Sequence, residues 1–335
     1  MNRVTLIGHE YNEGIETNLR NFLVSEGRVA KIIEMYPFGK KRFHSKIVFV
    51  IKMFSNIVLF KNIIERRMIR LIATSNSDLI IFFTPAADLF SDRVVQFAKK
   101  HSKYVIAWIL DSPINYRNAE FISAHYDCLF ISDRGYLKNL EGYTSAKLFP
   151  LSEGYELLKY SGVPLRRNEE VVLVGSLYPT RIMQVRNLLE AGLNVSVYTS
   201  DSRNLRSLAD EFPDSLRVFG PVFGIERFEV FRNALCVLNL QHPSSIDILN
   251  YRIFEVISSG GILATNGGES VKRMFESGGA IIFDKDEYLI LSIRHLMKNP
   301  EIYEQQRAIA IEISARNTLA VRFQQITNTL ENLFD

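Results

Sequence analysis

The feature that most limits the fold of this chain is the texture of its apolar runs. Segments such as "SDLIIFFTP", "YVIAWILDSP", "EVVLVGSLYP" and "ALCVLNL" are apolar almost without a break, unlike the alternation of a strand with one wet face. A strand of this kind is buried on both sides, which requires helices on both faces of a parallel sheet. Helical spacing of apolar residues over 15–26, 91–102, 180–191, 226–233 and 269–277 supplies candidates for those helices. The alternation begins with "RVTLIGH" and "VAKIIEM", passes "YDCLFIS" and "SAKLFP", and starts again through "NVSVYTS", "LRVFG", "GILAT" and "GAIIF". It predicts the α/β class.

At 335 residues the chain exceeds the size at which a single core stops growing. The expected division is a Rossmann-like domain over 1–153, a polar linker over 154–169 ("GYELLKYSGVPLRRNE"), a second Rossmann-like domain over 170–316, and a C-terminal helix over 317–335 that packs back on the first. Parallel sheets of this type bind ligands beyond the carboxyl ends of their strands. That rule selects His9, Thr84, Asp111, Gly175, Tyr198, Gly220 and His242. Two such domains facing one another across a cleft would hold two substrates together.

With 47% hydrophobic and 23% charged residues the composition is that of a soluble globular protein. The chain enters "VTLIG" without a charged leader or cleavage site, so the expected location is cytoplasmic. Cys128 and Cys236 sit in separate apolar runs and read as packing residues. The net charge of +3 hides a basic concentration over residues 40–70, where nine Lys or Arg stand against one Glu. Lys46, Lys52 and Lys61 interrupt its apolar stretches too soon for the roughly 20 residues of a membrane span. Phe49, Phe54 and Phe60 among these cations suit a helix lying in an anionic lipid surface. The alternative is a core helix with solvated lysines. Nothing in the pattern calls for a nucleic-acid partner. Phosphate-loop, zinc-protease, nucleophile-elbow and C-x-x-C motifs do not occur.

The stretch "SSIDILNYRIFEVISSGG", residues 244–261, threads Asp247, Asn250, Arg252 and Glu255 through an apolar stripe. The spacing predicts a helix over 247–258, with Asp247, Tyr251 and Glu255 on one side and Leu249, Val256 and Ile257 on the other. Its start after "HPSS" would offer backbone N–H groups and a positive dipole end to a phosphate or diphosphate. Asp247 and Glu255 are then roughly 12 Å apart along the axis, wide for a glycosidase carboxylate pair and suited to opposite ends of one long ligand. Gly260 and Gly261 read as helix-capping and turn residues.

The segment "SSIDILNYRIFEVISSGGILATNGGESVKRMFESGGAIIF" resembles the donor-binding half of the glycosyltransferase group 1 superfamily. Within it, "VLVGSLYPTR" and "NYRIFEVISSGG" are most similar to the branch typified by spore maturation protein CgeB. The likeness covers roughly residues 170–325 and implies the GT-B fold, two facing Rossmann-like domains. It implies that Glu255 accepts hydrogen bonds from the ribose hydroxyls of a nucleotide-sugar and that Asp247 contacts the donor sugar, at a position where the family usually has glutamate. Asn250 and Tyr251 occupy the turn that approaches the diphosphate. Gly175, Ser176 and Arg181 resemble the first loop of the donor domain, where a cation balances the phosphates. Arg252 stands in for the lysine that many relatives supply. Gly267, Gly268 and Glu269 resemble the loop behind the donor sugar. Gly220 and Val222 in "RVFGPV" resemble the strand end that reads the base, and Tyr198 and His242 fall at neighbouring strand ends. His9 and Asp111 would face the acceptor, where either could orient or deprotonate a hydroxyl.

The activity this implies is transfer of a sugar, hexosyl in type and with retention, from a nucleotide diphosphate sugar to a hydroxyl of a glycan, glycolipid or surface polymer. No metal or other cofactor is expected: the acidic pair Asp284 and Asp286 opens a helix after a strand. A nucleotide-sugar epimerase of the same fold would need acid and base groups that only His9 and Asp111 offer. A non-catalytic sugar-nucleotide-binding or scaffold protein is the third reading.

Overall fold

The structure, a computed structural model, describes residues 1–10, 14–35, 58–83, 92–111, 125–142, 144–156 and 167–334. The chain divides into two compact units, one of residues 1–154, 244–250 and 319–335, the other of residues 155–243 and 251–318.

The first unit opens with β1 (Arg3–Gly8), α1 (Ile15–Ser25) and β2 (Val29–Glu34), and continues through α2 (Val58–Ala73), β3 (Ser77–Phe83), α3 (Asp92–Lys99) and β4 (Ser102–Ile109). β5 (Cys128–Ile131), a short α4 (Leu137–Leu140) and β6 (Lys147–Pro150) follow. The strands form one parallel sheet in the order β2-β1-β3-β4-β5-β6. Its middle strands are as apolar as their sequences require: Leu79 to Phe83 and Tyr104 to Ile109 are all buried. In α2, Ile64, Met68 and Ile72 recur at helical spacing and pack into that core. This part of the basic segment is therefore a core-facing helix. Residues 40–57, which carry the rest of the lipid-surface expectation, lie outside the described residues, as does Thr84.

The second unit holds β7 (Glu170–Val174), α5 (Pro179–Glu190), β8 (Asn194–Tyr198), α6 (Arg206–Glu211), β9 (Leu216–Phe219), α7 (Gly224–Asn233) and β10 (Cys236–Asn239). It is completed by α8 (Tyr251–Ser258), β11 (Leu263–Thr265), α9 (Glu269–Met274), β12 (Ala280–Ile282), α10 (Asp286–Lys298) and α11 (Pro300–Ala315). Its sheet is also parallel, in the order β12-β11-β10-β7-β8-β9. The last helix, α12 (Leu319–Phe334), returns to the first unit. There Leu319, Phe323, Ile326 and Leu330 are buried, each contributing roughly 1.5–3 kcal/mol. The Arg28 guanidinium lies 5.3 Å from the Phe323 ring centroid, and Arg322 donates from Nε to the Glu153 carbonyl.

Both cysteines are free and buried. Burial raises the Cys128 thiol to about 11 and the Cys236 thiol to about 12, so both are packing groups rather than thiolates. Among the described residues no helix is long and apolar enough to cross a membrane.

Candidate functional site

The second sheet reverses its strand order between β7 and β10, the place where open parallel sheets bind ligands. Just past β7, Gly175 adopts φ +133°, a backbone conformation that a side chain would strain. The chain then turns through Ser176 into α5, whose first turn carries Arg181. Arg181 donates from Nη1 to the Ser176 carbonyl at 2.7 Å and from Nη2 to the Leu240 carbonyl at 3.0 Å. One side chain thus ties together the loops that follow β7 and β10. Its charge is balanced by no carboxylate among the described residues. Burial pulls its pKa down, the nearby Arg252 cation pulls the same way, and Tyr178, whose ring centroid lies 4.9 Å from the guanidinium, acts against them. Such a site favours an anion.

Around Arg181 stand several of the residues selected by sequence. The His242 ring meets Tyr178 edge-on at 5.1 Å. Tyr198 receives the Gly175 N–H on its carbonyl at 3.0 Å and stacks its ring on Phe219 at 4.7 Å. Past that stack, Gly220 is exposed and Val222 is buried. Gly268 precedes α9 as its N-cap. At Gly267 a Cβ would fall 2.2 Å from Val271, so packing alone demands glycine there.

The helix expected over 247–258 is shorter: α8 begins at Tyr251. Residues 246 and 247 bend instead of coiling into the helix: the Asp133 carboxylate takes the N–H of Ile246 at 3.0 Å and of Asp247 at 2.8 Å, and Ile248 bridges Asp133 antiparallel. Asp247 and Asn250 consequently belong to the first unit, while Tyr251, Arg252 and Glu255 belong to the second. The helix start that could hold a diphosphate is at Tyr251, not after "HPSS". Gly260 closes α8 with φ +77°, and the Gly261 N–H bonds the Val256 carbonyl, which fits the expected cap.

Glu255 does not lie on a solvated helix face. It is 5% exposed, and its carboxylate is held by Arg227 of α7 through Oε1 and by Arg252 through Oε2 at 2.8 Å. The Arg252 guanidinium also sits 5.1 Å from the Phe231 ring centroid. Tyr251 packs its ring against Tyr155 at 5.3 Å. Arg227 was not among the residues singled out by sequence. Its signal was indirect: a glutamate set among Ile253, Phe254, Val256 and Ile257 needs a cation, and "GIERFEVFRN" carries two.

In the first unit, His9 follows β1. Its Nδ1 lies 3.1 Å from Glu34 Oε1 and its backbone N–H reaches Glu16 Oε1 at 3.3 Å. Glu10 donates its N–H to Glu34 Oε2 at 2.8 Å. Burial pushes the Glu16 carboxyl up, although hydrogen bonds from its own N–H and that of His9 pull it down. Asp111 is exposed two residues beyond β4. Asp286 begins α10 and accepts from the Asn187 side chain.

Residues 175–328 match a protein family described as glycosyl transferase-like. No curated protein matches the chain. Over its whole length the fold is that of GT-B glycosyltransferases. A glycosyltransferase from Rickettsia africae ESF-5 is 12% identical with a TM-score of 0.67, each chain covering 100% of the other. Anabaena HepE in complex with UDP and glucose is 11% identical at TM-score 0.66, over 99% of this chain and 100% of that one. A trehalose-6-phosphate synthase, studied for glycosyl transfer with retention, is 11% identical at TM-score 0.67 over 99% of both chains.

Proposed function

We propose that this protein transfers a sugar, hexosyl in type and with retention of configuration, from a nucleoside diphosphate sugar to a hydroxyl of a second sugar or glycan, without a metal ion. The observation that carries the proposal is the half-buried Arg181 guanidinium at the β7/β10 reversal, whose charge calls for an anion. A guanidinium has five N–H donors, and the two carbonyl bonds leave donors for phosphate oxygens. The start of α8 adds backbone N–H groups and a positive dipole end.

The diphosphate oxygens would lie between Arg181 and the α8 start, so the charge that develops on the leaving group meets cations already in place. Glu255 keeps acceptor capacity beyond its two arginine bonds, since a carboxylate offers about four lone-pair sites. The ribose hydroxyls would donate there. The Tyr198–Phe219 stack lies beside the strand end assigned to the base. Asp247 would contact the donor sugar. His9 and Asp111 would face the acceptor hydroxyl, whose proton passes to the leaving phosphate oxygen on the same face of the sugar. The likeness of "VLVGSLYPTR" and "NYRIFEVISSGG" to the CgeB-like branch supports a donor of this class. A glycolipid acceptor and contact with an anionic membrane surface through residues 40–70 remain part of the proposal.

The test is incubation with a panel of nucleotide-sugars, with and without a chelator, while released nucleoside diphosphate and transferred sugar are measured. Release that persists with chelator and yields an α-linked product from an α-linked donor supports metal-independent transfer with retention. Sugar isomerisation without release favours an epimerase. No turnover of any donor together with no binding of any nucleoside diphosphate would overturn the proposal.

A further inference from the structure

The charged group that shapes the donor-flanking loop lies outside the matched family segment, on the turn after β5. Asp133 is fully buried. Its Oδ1 accepts the N–H groups of Gly135 at 3.1 Å and Asp247 at 2.8 Å, and its Oδ2 accepts that of Ile246 at 3.0 Å. The backbone joins in: the Arg134 N–H bonds the Asp247 carbonyl at 3.1 Å, and Ile248 bridges Asp133. Two residues on, the Tyr136 hydroxyl donates to the Ser244 carbonyl at 2.8 Å. Gly135 completes the fit, because a Cβ there would lie 2.3 Å from the Ile246 side chain.

Residues 244–250 form neither helix nor sheet strand of their own, so their backbone donors need partners from elsewhere. A buried carboxylate that accepts three N–H groups supplies them with charge-assisted bonds, roughly twice as strong as neutral ones. It also fixes direction. Two of the three donors are consecutive residues, so the carboxylate determines the path of the main chain through Ile246 and Asp247, and with it the place where the Asp247 side chain leaves the backbone. α8 does not set that path, since it starts only at Tyr251.

We infer that Asp133 is a positioning residue for sugar transfer: it holds the main chain of residues 246–248 so that Asp247 is presented to the donor sugar. The inference rests on the donor-transfer reading above. It assigns no contact between Asp133 and substrate. It does predict a distinct kinetic signature, because a misplaced Asp247 harms the reaction step while the nucleotide portion of the donor, held by Arg181 and Glu255, still binds.

The experiment compares full-length wild type with Asp133→Ala, Asp133→Asn, Asp247→Ala and the Asp133→Ala/Asp247→Ala double variant, reading nucleoside diphosphate release and backbone amide exchange. For Asp133→Ala, kcat falls by at least about tenfold while the donor KM stays within about threefold. Asp133→Asn, which keeps one acceptor oxygen, recovers part of the rate. The double variant is no slower than Asp247→Ala alone. The Ile246 and Asp247 amides exchange faster in Asp133→Ala, while those of Ser102–Ile109 stay protected. Unchanged kcat, unchanged exchange at 246–247, a further multiplicative loss in the double variant, or equal loss of protection across Ser102–Ile109 would each overturn the inference. A wild type that turns over no donor overturns the functional reading itself, and the exchange measurements then decide the backbone clamp separately.

Discussion

The two sheets place comparable ligand-binding positions in opposite electrostatic settings. In the first, the strand order reverses between β1 and β3, and the residues beyond β1 are His9, Glu10, Glu16 and Glu34, drawn together by hydrogen bonds among themselves and by Arg20 on Glu10 at 2.7 Å. In the second, the order reverses between β7 and β10, and the neighbouring charges are Arg181 and Arg252, with Arg227 sharing Glu255. One end is rich in carboxylates and the other in guanidiniums. A diphosphate would be repelled by the first and attracted by the second, which is why the proposed function puts the anionic donor on the second unit and the hydroxyl acceptor on the first. The lesson is that the same topology recurs in both units, while a few side chains at the strand ends set the local charge.

The largest expected effect falls on the cationic side. Arg181→Ala should lower turnover of the donor by about 10²–10³-fold, the range for losing one preorganised group that stabilises developing charge. Calorimetric titration with a nucleoside diphosphate should show weakened binding as well. Undiminished binding would remove the basis of the contrast.

Next comes Glu255→Gln. Losing the carboxylate leaves Arg227 and Arg252 without their buried counter-charge, and a broken buried ion pair costs about 3–5 kcal/mol. Denaturant unfolding should show a loss of that order, and donor affinity should fall. A variant as stable as wild type would mean that solvent reaches this pair far more than its burial indicates.

The smallest effect is expected on the acidic side. Burial raises the Glu16 pKa in the folded protein, so the folded state holds that proton more tightly than the unfolded chain. Its stabilising contribution is present in full below the unfolded value of about 4.3 and is lost as pH rises through the higher folded value. Thermal melting should therefore show wild type losing ground to Glu16→Gln as pH rises across that window. A difference that stays constant, or moves the other way, would mean that Glu16 is ionised without penalty and adds its charge to the acidic end.

Much of the fold was legible because it depends on local composition. Runs such as "LIIFF" and "VVLV" are buried on both faces wherever they sit, so strand positions and parallel pairing followed from hydrophobicity alone. The loop after β7 was legible in part: Gly175, Ser176 and Arg181 do gather there. The start of α8 was not. Periodicity extends the helix back to Asp247, since Leu249 and Ile253 fit the stripe, but a carboxylate more than a hundred residues earlier captures the Ile246 and Asp247 N–H groups and keeps them out of the helix. Arg227 is not legible for the same kind of reason, because helical pattern reveals which face is apolar and not which distant acid a cation will meet.

By itself, then, the order of residues determined the two sets of alternating strands and helices and their burial. Tertiary structure decided which charges meet: that Glu255 lies between two arginines, that Arg181 spans two loops, and that Asp133 takes the N–H groups of Ile246 and Asp247. Burial patterns are written in each residue's own neighbours along the chain, whereas hydrogen bonds and ion pairs depend on partners that only folding brings within 3 Å.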